Sequence, residues 1–80
     1  MTVLVLLFAR YREAAKAPSV EVEVPPGATL TDVWSELRAR IPGLSHDERP
    51  LFSCDRVYAR GDRAITGDEE IAVFPPVSGG

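Results

Sequence analysis

Seven consecutive apolar residues, from Val3 to Ala9, restrict the fold of this chain more than any other segment. The run is too short to cross a bilayer, which takes about 20 residues. Met1 and Thr2 supply no cationic start for a signal peptide, and charged residues follow the run at once. A short apolar run of this kind is typical of a strand buried on both faces, predicted here over residues 2–8. We therefore expect a cytoplasmic protein built around a sheet, with no membrane contact.

The segments that follow predict a short helix and a second strand. Residues 10–15 are typical of one or two helical turns that end near Pro18. Val20, Val22 and Val24 alternate with glutamates, which predicts a strand with one buried face.

The main helix is predicted from its N-terminus onward. Thr29 is the expected N-cap, and Asp32 three residues later completes a short capping box. Pro42-Gly43 ends the element. Apolar residues at helical spacing predict one buried face, formed by Leu30, Val33, Trp34, Leu37 and Ile41.

Short strands and turns are predicted in the second half of the chain. The strands are expected over residues 51–54, 57–59 and 70–74, with one further extended piece at Ala64-Ile65. Arg60-Gly61-Asp62 is interpreted as a turn in which Gly61 supplies a positive φ.

This order of elements predicts an α+β fold of the ubiquitin-like β-grasp type. A mixed sheet of about five strands is crossed by the main helix, and a short helix is added to it. The last strand returns beside the first and runs parallel to it, which the long connection between them allows. The 80 residues suffice for one small domain, expected over residues 1–76, with 77–80 as a flexible C-terminal tail. A domain of this size has no room for a buried catalytic cavity.

The composition excludes several kinds of site. One cysteine rules out an internal disulfide, and together with a single histidine, His46, it rules out a zinc cluster. Cys54 is interpreted as a small core residue, and residues 68–70 as a solvated acidic turn. A net charge of −3 without a basic stripe disfavours nucleic-acid binding. Motifs for phosphate binding and nucleophilic catalysis are missing from the sequence, so we expect no bound cofactor or metal and no catalysis by the chain alone.

The last ten residues, Ile71 to Gly80, carry no charged side chain. Pro75 and Pro76 lack the N–H that continues a sheet ladder, so the chain is expected to leave the sheet there and project outward. The residues beyond Pro76 reach about 13 Å at ~3.3 Å each. Gly79 and Gly80 have no side chains and fit a channel too narrow for other residues. The Gly-Gly ending is therefore interpreted as a chemical handle on a β-grasp domain.

Two segments resemble one protein family closely. Residues 67–80, Gly-Asp-Glu-Glu-Ile-Ala-Val-Phe-Pro-Pro-Val-Ser-Gly-Gly, resemble the ending of the molybdopterin synthase small subunits, which are the MoaD-type sulfur carriers of the MoaD/ThiS family. Residues 7–13, Leu-Phe-Ala-Arg-Tyr-Arg-Glu, are similar to the first strand and short helix of that family. The resemblance covers essentially the whole chain, and Pro-Pro-Val-Ser-Gly-Gly is its most demanding motif.

The resemblance implies a sulfur carrier subunit that acts in molybdenum-cofactor synthesis. An E1-like adenylyltransferase would use ATP to convert the Gly80 carboxylate to an acyl-adenylate. A persulfide donor would then replace AMP, which leaves a thiocarboxylate on Gly80. The tail residues Val77, Ser78 and Gly79 would enter a channel of the synthase large subunit. There the sulfur would pass to cyclic pyranopterin monophosphate and form the dithiolene of molybdopterin. The partners would supply the catalytic groups and the sites for ATP and substrate.

A docking surface at the root of the tail is predicted from strand parity. If Ile71 and Val73 pack on the main helix, Phe74 faces the opposite way together with Ala72 and Glu70, and lies exposed beside the tail. An exposed aromatic cluster at this point is typical of an interface hot spot. The predicted docking residues are Phe74, Phe8, Tyr58 and Arg12.

Three other functions stay open at this stage. A thiamine-type sulfur carrier would use the same chemistry with another acceptor. A ubiquitin-like protein modifier would join Gly80 to lysines as an isopeptide. A non-reactive adaptor would bind through its sheet surface and make no use of the tail.

Overall fold

The computed structural model describes residues 1–44 and 48–76 of the chain. Their elements agree with the predicted order, with bounds that differ by one or two residues at most. They are β1 (Thr2–Leu7), α1 (Ala9–Ala15), β2 (Ser19–Glu23), α2 (Leu30–Arg40), β3 (Leu51–Cys54), β4 (Val57–Ala59) and β5 (Ile71–Phe74).

The five strands of the described residues form one sheet in the order β2-β1-β5-β3-β4. The first and last strands lie side by side and run parallel, with Val5 opposite Ile71 and Leu7 opposite Val73. The other three pairings are antiparallel. The sheet is therefore mixed, as predicted, and its arrangement with two helices is the ubiquitin-like β-grasp fold.

The capping box predicted for α2 is present at its N-terminus. The backbone N–H of Asp32 donates to Thr29 Oγ1 at 3.3 Å, and the backbone N–H of Thr29 donates to Asp32 Oδ2 at 2.9 Å. These bonds satisfy donors that a helix N-terminus otherwise leaves unpaired. The predicted apolar face of this helix is buried throughout, at Leu30, Val33, Trp34, Leu37 and Ile41.

The helices pack on one face of the sheet, which we call the covered face. Val3, Val5 and Leu7 of β1 lie on it, and each is at least 99% buried. Leu4 lies on the opposite, open face and keeps 52% of its surface exposed. The prediction of a strand buried on both faces was therefore wrong for β1. Its apolar run suggested two covering layers, whereas both helices of the described residues lie on the same side.

Two turns in the second half differ in the way they use their backbone. Asp55 and Arg56 both have positive φ, 51° and 68°, which suits the two-residue turn of the β3–β4 hairpin. Gly61 does not have a positive φ, so that part of the prediction was wrong. Its carbonyl accepts a 2.9 Å hydrogen bond from the N–H of Thr31, and a Cβ at position 61 would crowd Thr31 Oγ1. The chain thus passes close to α2 at Gly61, and a larger residue there would require the exposed Thr31 side chain to move.

The turn before β5 is organised by Glu69, which the sequence interpretation placed on a solvated face. Its carboxylate accepts hydrogen bonds of 2.9 to 3.0 Å from the backbone N–H groups of Thr66 and Gly67. Partial burial opposes ionisation of Glu69, but these hydrogen bonds outweigh it and lower the pKa of the carboxyl. The acidic turn is therefore a structural element that sets the start of β5.

Neither helix of the described residues is long and apolar enough to cross a membrane.

Candidate functional site

The candidate site begins where β5 ends. The strand stops at Phe74, and Pro75 and Pro76 follow without sheet pairing. Proline has no N–H for the ladder, so the chain leaves the sheet at the point that the sequence predicts. The predicted tail residues Val77, Ser78, Gly79 and Gly80 lie outside the described residues, and their roles stay predictions.

Three aromatic rings, Phe8, Tyr58 and Phe74, lie together at this point, and we call them the aromatic cluster. The rings of Phe8 and Phe74 are stacked, with centroids 4.6 Å apart and an interplanar angle of 15°. The ring of Tyr58 meets Phe74 edge-on, with centroids 6.2 Å apart. Both geometries are ones that aromatic pairs favour.

The sheet register explains why these rings meet. Leu7 lies opposite Val73, so the residues that follow them in the chain, Phe8 and Phe74, also come side by side. Ile71 and Val73 are fully buried on the covered face, which leaves Phe74 on the open face. Phe74 therefore lies on the face that strand parity predicts.

The aromatic cluster is accessible to a partner. Phe8 is 39% exposed and Tyr58 is 74% exposed, while Phe74 is half-buried between them. Such large exposed apolar side chains in one place are typical of a surface that binds another molecule. Their role in docking is taken up below as a proposal.

A groove with a volume of about 350 Å³ runs from the aromatic cluster across the open face. Its other lining residues are Leu6, Ser53, Ala72, Arg56 and Glu70. Strand parity in β5 predicts Ala72 and Glu70 on this face, whereas Leu6, Ser53 and Arg56 were not predicted there. Strand parity in β1 and β3 was the signal that would have found the first two, once one residue of each strand was assigned to a face.

The end of the groove away from the tail is polar. Nε of Arg56 lies 3.4 Å from Oε1 of Glu70, and the Arg56 side chain is largely exposed and that of Glu70 about half exposed. An ion pair in this position adds little stability because water screens it. It does leave the groove with no net charge at that end.

Arg12 lies in a different place from the other predicted docking residues. It lines a second groove along α1, together with Ala9, Glu13 and Lys16 among others. The side chain is exposed, but it is not part of the aromatic cluster or of the groove beside it. The structure therefore brings together three of the four predicted docking residues.

Cys54, which the sequence predicts to be a core residue, is a further group that could carry chemistry. Cys54 is buried, and burial together with the nearby Glu69 and Asp55 raises the pKa of its thiol against the opposing effect of Arg63. A thiol held protonated is a weak nucleophile, which agrees with a core role. Among residues 1–44 and 48–76, no cluster of His, Cys, Asp or Glu is suited to hold a metal ion. His46 lies outside the described residues.

Sequence comparison assigns the chain to a family. A family model described as the ThiS family matches residues 5–80. The chain belongs to the ThiS family. Among curated relatives, the molybdopterin synthase sulfur carrier subunit of Homo sapiens is 36% identical over 95% of this chain and 91% of its own. That of Arabidopsis thaliana is 31% identical over 95% of this chain and 80% of its own. Small archaeal modifier protein 1 of Haloferax volcanii is 35% identical over 92% of this chain and 95% of its own.

Solved structures confirm the fold expected of a ThiS-family chain. The crystal structure of small archaeal modifier protein 1 from Haloferax volcanii has a TM-score of 0.79 at 27% identity, covering 95% of this chain and 98% of that one. A putative molybdopterin converting factor, subunit 1, from Pyrococcus furiosus has a TM-score of 0.77 at 28% identity, covering 96% and 99% of the two chains. The ThiS-family relatives thus include both sulfur carriers and a protein modifier.

Proposed function

We propose that this chain is the sulfur carrier subunit of a molybdopterin synthase and that Gly80 carries the sulfur. The observation that supports this most is the arrangement at the end of β5. An exposed aromatic cluster lies beside the point where Pro75 and Pro76 lead the chain out of the sheet, and the sequence then ends in Gly79-Gly80. Relatives named as molybdopterin synthase sulfur carrier subunits, similar over nearly the whole chain, point to the same function.

The proposed chemistry begins with activation, because a free carboxylate is a poor electrophile. An E1-like adenylyltransferase catalyses attack of a Gly80 carboxylate oxygen on the α-phosphorus of ATP, which releases pyrophosphate and forms an acyl-adenylate. The terminal sulfur of a persulfide then attacks the acyl carbon, and AMP leaves. A second thiol of the donor cleaves the resulting S–S bond, forming a disulfide in the donor and a thiocarboxylate on Gly80.

The second half of the proposed reaction takes place on the synthase large subunit. The thiocarboxylate sulfur is anionic and nucleophilic, and it attacks a side-chain carbon of cyclic pyranopterin monophosphate, from which an oxygen substituent leaves. Water then cleaves the acyl–sulfur bond, so that the sulfur stays on the pterin and Gly80 returns to a carboxylate. Two such deliveries build the dithiolene. The carrier supplies reach and orientation: the residues beyond Pro76 span about 13 Å at ~3.3 Å each, and glycines at the end pass a narrow channel. Correct placement of the reacting atoms is itself a large part of catalysis.

The aromatic cluster is the proposed centre of docking to these partners. Aromatic side chains at the centre of an interface supply most of its binding energy. Phe8, Phe74 and Tyr58 lie at the root of the tail, so a partner that covers them also receives the tail. Arg12, on a separate groove, would contact a partner only at the rim of this interface.

A protein modifier is the second candidate, because the Haloferax volcanii relative of similar identity is named as one. Both candidates need an activated Gly80 carboxylate. They differ in the product, which is a thiocarboxylate for the carrier and an isopeptide with a lysine for the modifier.

The test is a reconstituted reaction with the adenylyltransferase, the sulfur donor and the large subunit from the same organism. Wild-type protein is expected to gain the mass of one oxygen exchanged for sulfur and to support molybdopterin formation. A variant without Gly80 is expected to do neither, while unfolding at the same temperature as the wild type. Molybdopterin formation by the truncated protein would show that the carrier proposal is wrong.

Gly79→Ala tests whether the tail must be narrow at the residue before Gly80. The added Cβ is expected to be harmless to stability but to slow sulfur transfer, because a displacement of about 1 Å at the reacting carbon costs on the order of a hundredfold in rate. Single-turnover rates of the two proteins test this. Isopeptide products in place of a thiocarboxylate would favour the modifier instead.

A further inference from the structure

The groove along α1 begins one residue after the aromatic cluster, and we call it the α1 groove. It has a volume of about 530 Å³ and is lined by Ala9, Arg12, Glu13, Lys16, Ala17 and Pro18. Ala9 follows Phe8 directly in the chain, and the Phe8 ring is stacked on Phe74 where β5 ends. The α1 groove therefore continues the surface at the root of the tail.

Two positive side chains of the α1 groove have no counter-charge. Arg12 and Lys16 are both exposed, and within residues 1–44 and 48–76 neither side chain forms an ion pair. Arg10, the other cation of α1, differs because it is paired with Glu48. Glu13 also lines the groove, so one carboxylate stands against two cations. The groove is thus locally positive on a chain whose net charge is −3.

The backbone at Lys16 is not one that favours a lysine. Lys16 follows the last residue of α1 with φ 58° and ψ 33°, the left-handed conformation. Glycine usually ends a helix in this way, because a Cβ crowds the backbone there. A lysine at a helix end can donate to the final carbonyls, but among the described residues the Lys16 ammonium makes no such hydrogen bond. Its charge is therefore available to a partner.

We propose that the α1 groove receives an acidic segment of the synthase large subunit, whose carboxylates pair with Arg12 and Lys16. This inference rests on the proposed function, because it assumes a partner docked at the root of the tail. Both cations are exposed to water, so the pairs steer the approach of the carrier and fix its orientation more than they add affinity. A nucleic acid fits less well, because the net charge of −3 repels a phosphate backbone.

The first test measures the rate of association with immobilised large subunit by surface plasmon resonance. The double variant Arg12→Gln/Lys16→Gln is expected to associate about tenfold more slowly at low salt, with a smaller change in dissociation. In about 1 M salt, where charges are screened within ~3 Å, the two rates are expected to converge. Arg12→Lys and Lys16→Arg keep the charge and are expected to keep the rate. Arg63→Gln is the control, because Arg63 is exposed and lines neither groove at the tail root.

Lys16→Gly separates docking from a role in the helix end. It is expected to slow association at low salt, while its melting temperature equals or exceeds that of the wild type because glycine suits the left-handed backbone. A lower melting temperature with an unchanged rate would show that Lys16 serves the helix, and the inference would be wrong. Equal rates for wild type and the double variant at low salt would also overturn it. If the wild type itself fails to bind, the proposed function fails, and the second test still decides the inference.

The second test uses the isolated chain with tetraglutamate, tetraglutamine and inorganic phosphate as probes in NMR titrations at low salt. Lys16 is the only lysine of the sequence, so ¹³C-methylation, which keeps the charge, gives it a single side-chain signal. Tetraglutamate is expected to shift this signal and the amides of α1 in a saturable way, with weaker binding to Arg12→Gln. Tetraglutamine is expected to cause no shift. Absence of saturable shifts with tetraglutamate, or equally strong binding of phosphate at the same residues, would overturn the inference.

Discussion

The two faces of the sheet are built from the same strands but differ in what they contact. On the covered face Val5, Ile71 and Val73 are fully buried under the helices. On the open face Leu4 and Tyr58 are largely exposed although both are large and apolar. Successive residues of one strand point to opposite faces, so each strand contributes alternately to the core and to the surface. In this domain the covered face accounts for stability, and the open face is available for binding.

Burial alone does not separate the two faces. Ala72 and Ser53 are nearly as buried as core residues, yet they lie on the open face. Both residues are buried by larger side chains on adjacent strands and not by the helices. A residue can therefore be nearly buried in the free protein although no helix covers it.

The largest effect is expected from a pair of leucines on the two faces. Leu37 of α2 is fully buried against the covered face, and Leu4 of β1 is half exposed on the other. Leu37→Ala is expected to lower the free energy of unfolding by about 2–5 kcal/mol. Leu4→Ala is expected to cost less than about 1 kcal/mol, because it removes little buried area. Urea unfolding of both variants measures the difference. Equal losses of unfolding free energy would contradict the statement that the covered face accounts for stability.

An intermediate effect is expected at two adjacent residues of β5. Phe74→Ala is expected to weaken partner binding by about 2 kcal/mol, with a smaller loss of stability because the ring is half-buried. Val73→Ala is expected to do the reverse, lowering the free energy of unfolding by about 2 kcal/mol with little effect on binding. Calorimetric affinities and urea midpoints of both variants test this. A Phe74 variant with unchanged affinity would return this ring to a purely structural role.

The smallest effect is expected in the turn before β5, which belongs to neither face. The pKa of Glu69 is lowered from its ordinary value of 4.5, so the charged carboxylate is more stable in the folded chain than in the unfolded one. Its contribution is present above that ordinary value and is lost as the pH falls through the lower folded value. Glu69→Gln is expected to cost less than about 1 kcal/mol at neutral pH, since the turn is partly exposed.

Urea unfolding measured at several pH values provides the control for Glu69→Gln. Urea midpoints of wild type and Glu69→Gln are expected to differ most at neutral pH and to converge in acid. A gap that stays constant over the whole range would mean that the loss comes from hydrogen-bond geometry and not from the charge.

Much of the fold was predictable because its signals are local. The capping box of α2 depends on two residues three apart, and the hairpin between β3 and β4 depends on the two residues of its turn. Pro75 ends β5 through its own missing N–H. The position of Phe74 also followed from the sequence, because strand parity needs only one neighbour known to be in the core.

What the sequence by itself determined is the set of elements, their order and the place where the chain leaves the sheet. Only the tertiary structure decided that β1 has an open face, that Gly61 lies close against α2, that Ser53 lines the groove on the open face, and that Arg12 lies apart from the aromatic cluster. The reason is physical. Local elements depend on backbone propensities and hydrogen bonds over a few residues, whereas exposure and neighbours depend on which face the helices cover and on pairings between strands distant in the chain.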